Sequence, residues 1–289
     1  MVRSERSRVT TSIFVYLLLT FALSSVFYWK LTHVAPGSNE GLFYFGLMWC
    51  PGVSGLLTRF IFQGNLRDHG FGWGKTKYQV ASYCIPLAYA CVVYLPVWFA
   101  GYFDPQNKAL TALAQKLPAL HTGGALVLFF AVTATLGVLG SCISAVGEEL
   151  GWRGFLVPQL AKLTTYPKVA LISGVIWASW HLPIIFFGDY RGAGPLWYSV
   201  TCFVVMVVGI SFLFAWMRLK SGSVWTGMLL HASHNCFIQG FFDPQTRHAR
   251  LTDLWTTEFG AGLALVGIAL AIIFYRKRTD LPGVAFAQK

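Results

Sequence analysis

Apolar runs of about 20 residues recur along the whole chain, separated by short polar or glycine- and proline-bearing segments, and each run has the length a helix needs to cross a bilayer core. Eight are legible, near residues 10–29, 42–62, 79–101, 124–146, 169–188, 197–217, 223–241 and 258–275. The pattern predicts an all-α fold, a polytopic membrane helix bundle of about eight transmembrane helices that makes residues 1–289 a single integral membrane domain. The first run follows the basic leader MVRSERSR. It is longer than a secretory signal and has no A-x-A cleavage site before Trp29 and Lys30, so it reads as a membrane helix.

Composition sharpens this picture. Hydrophobic residues make up 55% of the 289 and charged residues 11%, less than half of the roughly 25% usual for a soluble domain. Mean hydropathy is +0.57. A soluble fold is therefore excluded. The net charge of +11 would suggest nucleic acid if it were spread evenly, but it is not. On the eight-span pattern 16 of the 22 basic residues fall on one side, among them Arg6, Arg8, Arg59, Arg67, Lys75, Lys77, Lys162, Lys168, Arg218, Lys220, Arg276 and Lys289. The other side holds Lys30, Lys108, Lys116, Arg191, Arg247 and Arg250. The positive-inside rule places the first group, and with it both termini, in the cytoplasm. The charge then answers to lipid headgroups, and no nucleic-acid partner is expected.

The six cysteines stand singly in or beside apolar runs with no C-x-x-C pair, which indicates helix packing and not a disulfide or zinc-ribbon framework. In the loop 102–123, Leu110, Leu113, Leu117 and Leu120 fall at helical spacing and predict a short helix on the membrane surface.

Against this background the stretch GEELGWRGFL, residues 147–156, stands out. Of eleven acidic residues, nine (Glu5, Glu40, Asp68, Asp104, Asp189, Asp243, Asp253, Glu258 and Asp280) fall in loops, tails or run edges, leaving Glu148 and Glu149 at the end of a membrane helix. A carboxylate at membrane depth costs kilocalories unless paired, which marks it as functional. Glu149 and Arg153 share a helix face and suit an ion pair. Glu148 points about 100° away and is available for other work. Gly147 and Gly151 form a small-xxx-small step through which a neighbouring helix can approach.

Two further runs carry polar groups. LISGVIWASWHLPIIF places Trp177 and His181 on one face, and GMLLHASHNCF does the same for His231 and Asn235. His234 lies about 100° from Asn235 and is the weaker candidate, while His33, His69, His121 and His248 lie in loops or near run ends without evident chemistry. A glutamate beside a histidine can act as general base on water, and a second histidine with a carboxamide can donate to a developing oxyanion. That set fits amide hydrolysis without a serine or cysteine nucleophile. The same residues, Glu148, His181 and His231, also offer a zinc site with an open position for water. The cofactor is therefore none or zinc.

EELGWR, WASWH and HASHN, in this order on three separate helices, resemble the three motifs of the CPBP intramembrane protease family, which includes type II CAAX prenyl endopeptidases and bacterial proteins linked to bacteriocin processing or immunity. Its E-E-x-x-x-R is met by Glu148, Glu149 and Arg153. Its aromatic-x-x-x-His is met by Trp177 and His181, with Trp where Phe is commoner, and its H-x-x-x-N by His231 and Asn235. The motif region spans about 123–240 and marks the expected catalytic core.

The resemblance implies a membrane-embedded endopeptidase, with Glu148 as water-activating base, His181 as its partner, His231 and Asn235 as the oxyanion site, Glu149 and Arg153 as a structural pair and Trp177 in support. It further implies a peptide or membrane-protein substrate, with prenylated C-a-a-X ends among the candidates, in a multi-pass protein of the bacterial cytoplasmic membrane. Two rival classes fit the same residues. One is a transporter or proton relay, and the other a non-catalytic immunity protein on the same fold. With Glu148 near the cytoplasmic edge and His181 about 18 Å into its run, the two meet only if the run boundaries are wrong, a helix is broken or a water-filled funnel descends from the cytoplasmic side. The broken helix and the funnel are the expectation.

Overall fold

The computed structural model describes residues 3–33 and 40–282. The extreme ends, including Lys289, lie outside the described residues. All the regular structure described is helical. Six stretches, Ser4–His33, Glu40–Gln63, Thr76–Tyr102, Pro118–Ala161, Tyr166–Phe187 and Leu196–Ser221, are long and apolar enough to cross a membrane. They comprise α1 (Arg3–His33), α2 (Glu40–Gln63), α3 (Thr76–Val97) and, after the surface helix α4 (Lys108–Lys116), one long rod. The rod joins α5 (His121–Val132), α6 (Val138–Glu149) and α7 (Val157–Ala161) through two wide π turns, Thr133–Gly137 and Leu150–Leu156. Then come α8 (Tyr166–Phe187), α9 (Leu196–Ser221), α10 (Trp225–Asn235) with a π turn over Cys236–Phe242, α11 (Arg250–Trp255) and α12 (Ala261–Arg276).

The seventh and eighth apolar runs are thus helical, but they do not reach the length and apolarity of the other six. The seventh is interrupted by His231, His234, Asn235 and Gln239. The eighth is only 16 residues long, about 24 Å against a core of about 30 Å. In the loop after α3, Asn107 caps α4 by accepting from the backbone N–H of Ala109 at 2.9 Å, and Leu110 is fully buried.

Small residues set the closest approaches. A methyl group on Gly151 would lie 2.4 Å from the backbone of Pro51, and one on Gly52 would lie 2.3 Å from the carbonyl oxygen of Gly147. The helix that uses the Gly147–Gly151 step is therefore α2. Gly209 of α9 meets Gly267 of α12 in the same way.

Wide π turns free carbonyls that lipid cannot satisfy, and side chains from other elements take them up. Tyr83 Oη donates to the Ala134 carbonyl at 2.5 Å, His69 Nε2 to Leu150 at 2.9 Å and Arg218 Nε to Arg153 at 2.8 Å. This corrects the reading of His69 as a loop residue without evident chemistry. It is fully buried, and the loop that carries it folds back into the bundle, tied by Arg59 and Asp68 at 3.2 Å. Burial, more than the neighbouring Arg59 and Arg218, pushes the His69 imidazole down to about 4.

Glu148 and Glu149 do not end the membrane span, which is the second correction. The rod continues through α7 to Ala161 because LGWRGFLVPQLA is largely apolar and its one charged residue, Arg153, is paired inside with Glu149. Measured from the Ala161–Tyr166 turn at about 1.5 Å per residue, Glu148 sits about 20 Å up its rod and His181 about 22 Å up α8. The two are level, and the depth conflict disappears. A wrong boundary resolves it, the rod running on past Glu149 through the wide turn Leu150–Leu156.

Candidate active site

Glu148, Trp177, His181, His231 and Asn235 line one cavity of about 460 Å³. They come from α6, α8 and α10, with α2 and α9 supplying apolar walls through Leu47, Met48, Phe203, Met206 and Val207. Glu148 is 2% exposed. Its Oε2 accepts from Trp177 Nε1 at 2.8 Å and Trp152 Nε1 at 3.2 Å. The indole of Trp152 is itself fixed edge-on against Trp180 and Tyr16. Two indole donors on one oxygen hold the carboxylate in a single orientation without neutralising it.

Glu149 is completely buried and faces away from that pair. Its Oε1 accepts from Arg153 Nη1 at 2.8 Å and pairs with His231 Nδ1 at 3.0 Å. The guanidinium of Arg153 also lies 4.1 Å from the ring centres of Trp177 and Phe214, an arrangement in which cation–π attraction is strongest because water is excluded. The carboxylate next to Arg153 therefore also orients a cavity histidine, a link the sequence reading did not make.

His181 donates Nδ1–H to the Trp177 carbonyl at 2.9 Å, which leaves Nε2 as its second polar atom. His231 likewise commits Nδ1 to Glu149. Trp177 sits between the two imidazoles, with ring centres 6.0 Å from His181 and 5.6 Å from His231. Asn235 is half-buried on the cavity wall one helical turn beyond His231.

A second polar group in the same cavity was missed. His234 and Glu258, set aside as a weak candidate and a run-edge carboxylate, are both buried. Glu258 Oε1 pairs with His234 Nε2 at 2.9 Å, and Oε2 accepts from Gln239 Nε2 at 2.8 Å and from the Tyr190 hydroxyl. His234 Nδ1 meets the Tyr89 hydroxyl at 2.5 Å. The residue before Glu258, Thr257, has φ 64°, a strained conformation for a β-branched side chain. The one sequence signal for Glu258 was its position at the start of the eighth apolar run.

The cavity reaches the helix ends opposite the basic turns. Its lining runs from Glu148 and Phe214 to Glu40 and Tyr44 at the start of α2, Asp189 and Tyr190 beyond the end of α8, and Glu258 before α12. These are the helix ends opposite Lys162, Lys168 and Lys220. His181 is only about 9 Å from the Phe187 end of α8. Among the described residues, no three His, Cys, Asp or Glu side chains are grouped to hold a metal ion, and no step is derived through a metal.

Fold and cavity together define a multi-pass helical membrane protein with a carboxylate, two imidazoles and a carboxamide converging at membrane depth. The comparison with known families gives this a more specific setting. Residues 130–237, which hold all three motifs, match the family of Type II CAAX prenyl endopeptidases, Rce1-like. A CAAX prenyl protease 2 of Methanococcus maripaludis is 30% identical over 83 residues, 27% of this chain and 30% of that protein. The chain therefore aligns with under a third of the length of this curated relative. Both matches support the family resemblance carried by the motifs.

Proposed function

We propose that this protein is a CAAX-protease-like intramembrane endopeptidase that hydrolyses a peptide bond with a water activated by Glu148. The observation that carries the reading is the convergence of Glu148, His181, His231 and Asn235, from three helices, on one cavity. In the proposed step, water lies between Glu148 and His181. The Nδ1–H of His181 is held by the Trp177 carbonyl, so its Nε2 lone pair accepts one water O–H while the Glu148 carboxylate removes the other proton. The water oxygen bonds to the scissile carbonyl carbon and the carbonyl oxygen becomes an oxyanion. The amide of Asn235 and Nε2–H of His231 donate to that oxyanion.

His231 can donate from Nε2 only as an imidazolium, since its Nδ1–H is committed to Glu149, and the buried Glu149 carboxylate is the counter-ion this requires. When the tetrahedral intermediate collapses, the C–N bond breaks and Glu148 returns the proton to the departing nitrogen. A peptide or membrane-protein substrate follows from the reaction. Prenylation of that substrate remains one candidate feature, and the bacterial cytoplasmic membrane remains the proposed location.

Glu148→Gln keeps the size of the side chain and an oxygen for the two indoles but removes the base. Purified variant should retain the fold and lose hydrolysis of a peptide library by roughly 10² or more. Full activity in Glu148→Gln would end the proposal. Exhaustive chelation should leave the parent unchanged, whereas loss of activity restored by added zinc would replace the mechanism with a metal-assisted one.

A further inference from the structure

Glu258 fixes which way its neighbours point. Its buried carboxylate meets the Gln239 amide at 2.8 Å, His234 Nε2 at 2.9 Å and the Tyr190 hydroxyl. His234 Nδ1 accepts from Tyr89, so its Nε2–H donates. Three donors suit the ionised form of a carboxylate, which only accepts. Gln239 therefore turns Nε2 to Glu258 and presents Oε1, while Tyr190 donates its O–H to Glu258 and presents the oxygen lone pairs. Both residues line the cavity. The Tyr190 ring is held among Phe259, Phe203 and His181, with ring centres at 5.2, 6.0 and 6.1 Å.

His231, Asn235 and Gln239 follow one another at four-residue intervals, and all three line the same cavity. At helical rise a four-residue step is about 6 Å. An extended peptide repeats every two residues, about 6.6 Å, and alternate residues present N–H and C=O on the same edge. The row on the cavity wall thus matches one edge of such a strand, with donors in His231 and Asn235 for a carbonyl and an acceptor in Gln239 for an N–H one repeat away.

We propose that the cavity binds its peptide as an extended strand whose backbone N–H groups donate to Gln239 Oε1 and to the Tyr190 hydroxyl, with Glu258 as the positioning residue for both. The inference rests on the endopeptidase reading for taking the ligand to be a peptide, but its test reads binding and not hydrolysis. It can therefore fail while the loss of hydrolysis in Glu148→Gln stands, and the reverse.

The probes are a capped, dansyl-labelled leucine hexapeptide and its all-ester counterpart built from leucic acid, the hydroxy acid of leucine, which keeps the shape and the carbonyls but has no backbone N–H. Saturable binding to purified Glu148→Gln protein in detergent is read by energy transfer from tryptophan and displacement with unlabelled probe. Partition of each probe into detergent cancels when variants are compared on the same probe. The hexapeptide should bind about tenfold more tightly than the ester, and Gln239→Met and Tyr190→Phe, each added to Glu148→Gln, should cut that ratio by about threefold to tenfold, the loss of one neutral hydrogen bond. Glu258→Gln should cut it too, because a carboxamide there donates as well as accepts and no longer fixes the Gln239 amide.

A role confined to fold stability would weaken both probes alike and leave the ratio where it was. An unchanged ratio in Gln239→Met and Tyr190→Phe, or no saturable binding of the hexapeptide, overturns the proposal. If Glu258→Gln does not fold, those two variants carry the test.

Discussion

Arg153→Ala separates a structural from a chemical role at the first motif. The guanidinium is 2% exposed and Glu149 fully buried, with 2.8 Å between the charged atoms. Truncation leaves an anion in the bundle whose one remaining polar contact is His231. Breaking a buried pair from one side costs about 3 to 5 kcal/mol. The stacking over Trp177 and Phe214 is lost as well, but it is part of the same group and is not added separately. At 2–4 °C per kcal/mol for a domain of this size the melting point should fall by about 10 °C, read by tryptophan fluorescence or by aggregation on heating.

The double variant Glu149→Gln/Arg153→Met is the control. It removes both charges together, which is often close to neutral, and the Gln oxygen still accepts from His231 Nδ1. Its melting point should recover most of the loss while hydrolysis stays low, because the imidazolium of His231 no longer has a carboxylate beside it. If Arg153→Ala melts with the parent yet is inactive, the pair is not structural and Arg153 acts on substrate.

Three further outcomes are expected. His231→Ala and Asn235→Ala should lower kcat with little effect on KM, each by the about 2.7 to 4 kcal/mol found for single oxyanion donors; a pure KM effect would make them binding residues. Gly151→Ala forces a methyl against the Pro51 backbone and should destabilise by about 1–3 kcal/mol. Gly140→Ala, with nothing within 4 Å, should be neutral or slightly stabilising; equal melting points for the two would refute the close approach of α2 to the Leu150–Leu156 turn. For His69, the folded value of about 4 lies below the unfolded value of about 6.5, so the unfolded chain takes the proton first. Stability is therefore complete above pH 6.5 and declines toward pH 4 by up to about 3 kcal/mol, a decline that His69→Gln, which can donate without titrating, should abolish.

The motifs, the helical bundle and the shared faces of Trp177–His181 and His231–Asn235 were legible because period 3.6 and rare charge are both visible in a linear string. What was not legible depends on the depth at which helices cross. The string ended the fourth run near residue 146, because two glutamates and an arginine look like an interface, whereas the bundle pairs them internally and carries the helix on to Ala161. His69 and Glu258 carry no periodic signal at all. One belongs to a glycine-flanked loop and the other follows a strained threonine, and both gain their partners only when the loops fold back onto the helices.

Regular helix stops at the same place in two of the motif helices. One wide π turn begins directly after Glu149 and another directly after Asn235. In the first, Leu150 and Arg153 pass their carbonyls to His69 and Arg218, groups that come from the basic side of the bundle. The turn therefore cannot relax to a regular helix without stranding both donors, and the orientation of Glu148 just before it is fixed from below while Trp152 and Trp177 fix it from within. In the second turn Gln239 reaches Glu258, so the backbone that carries Asn235 is tied to the rim of the cavity. Residues that never touch the cavity, His69 and Arg218 above all, thus set the register of the carboxylate proposed to activate water, and damage to them should appear as lost turnover before it appears as lost binding.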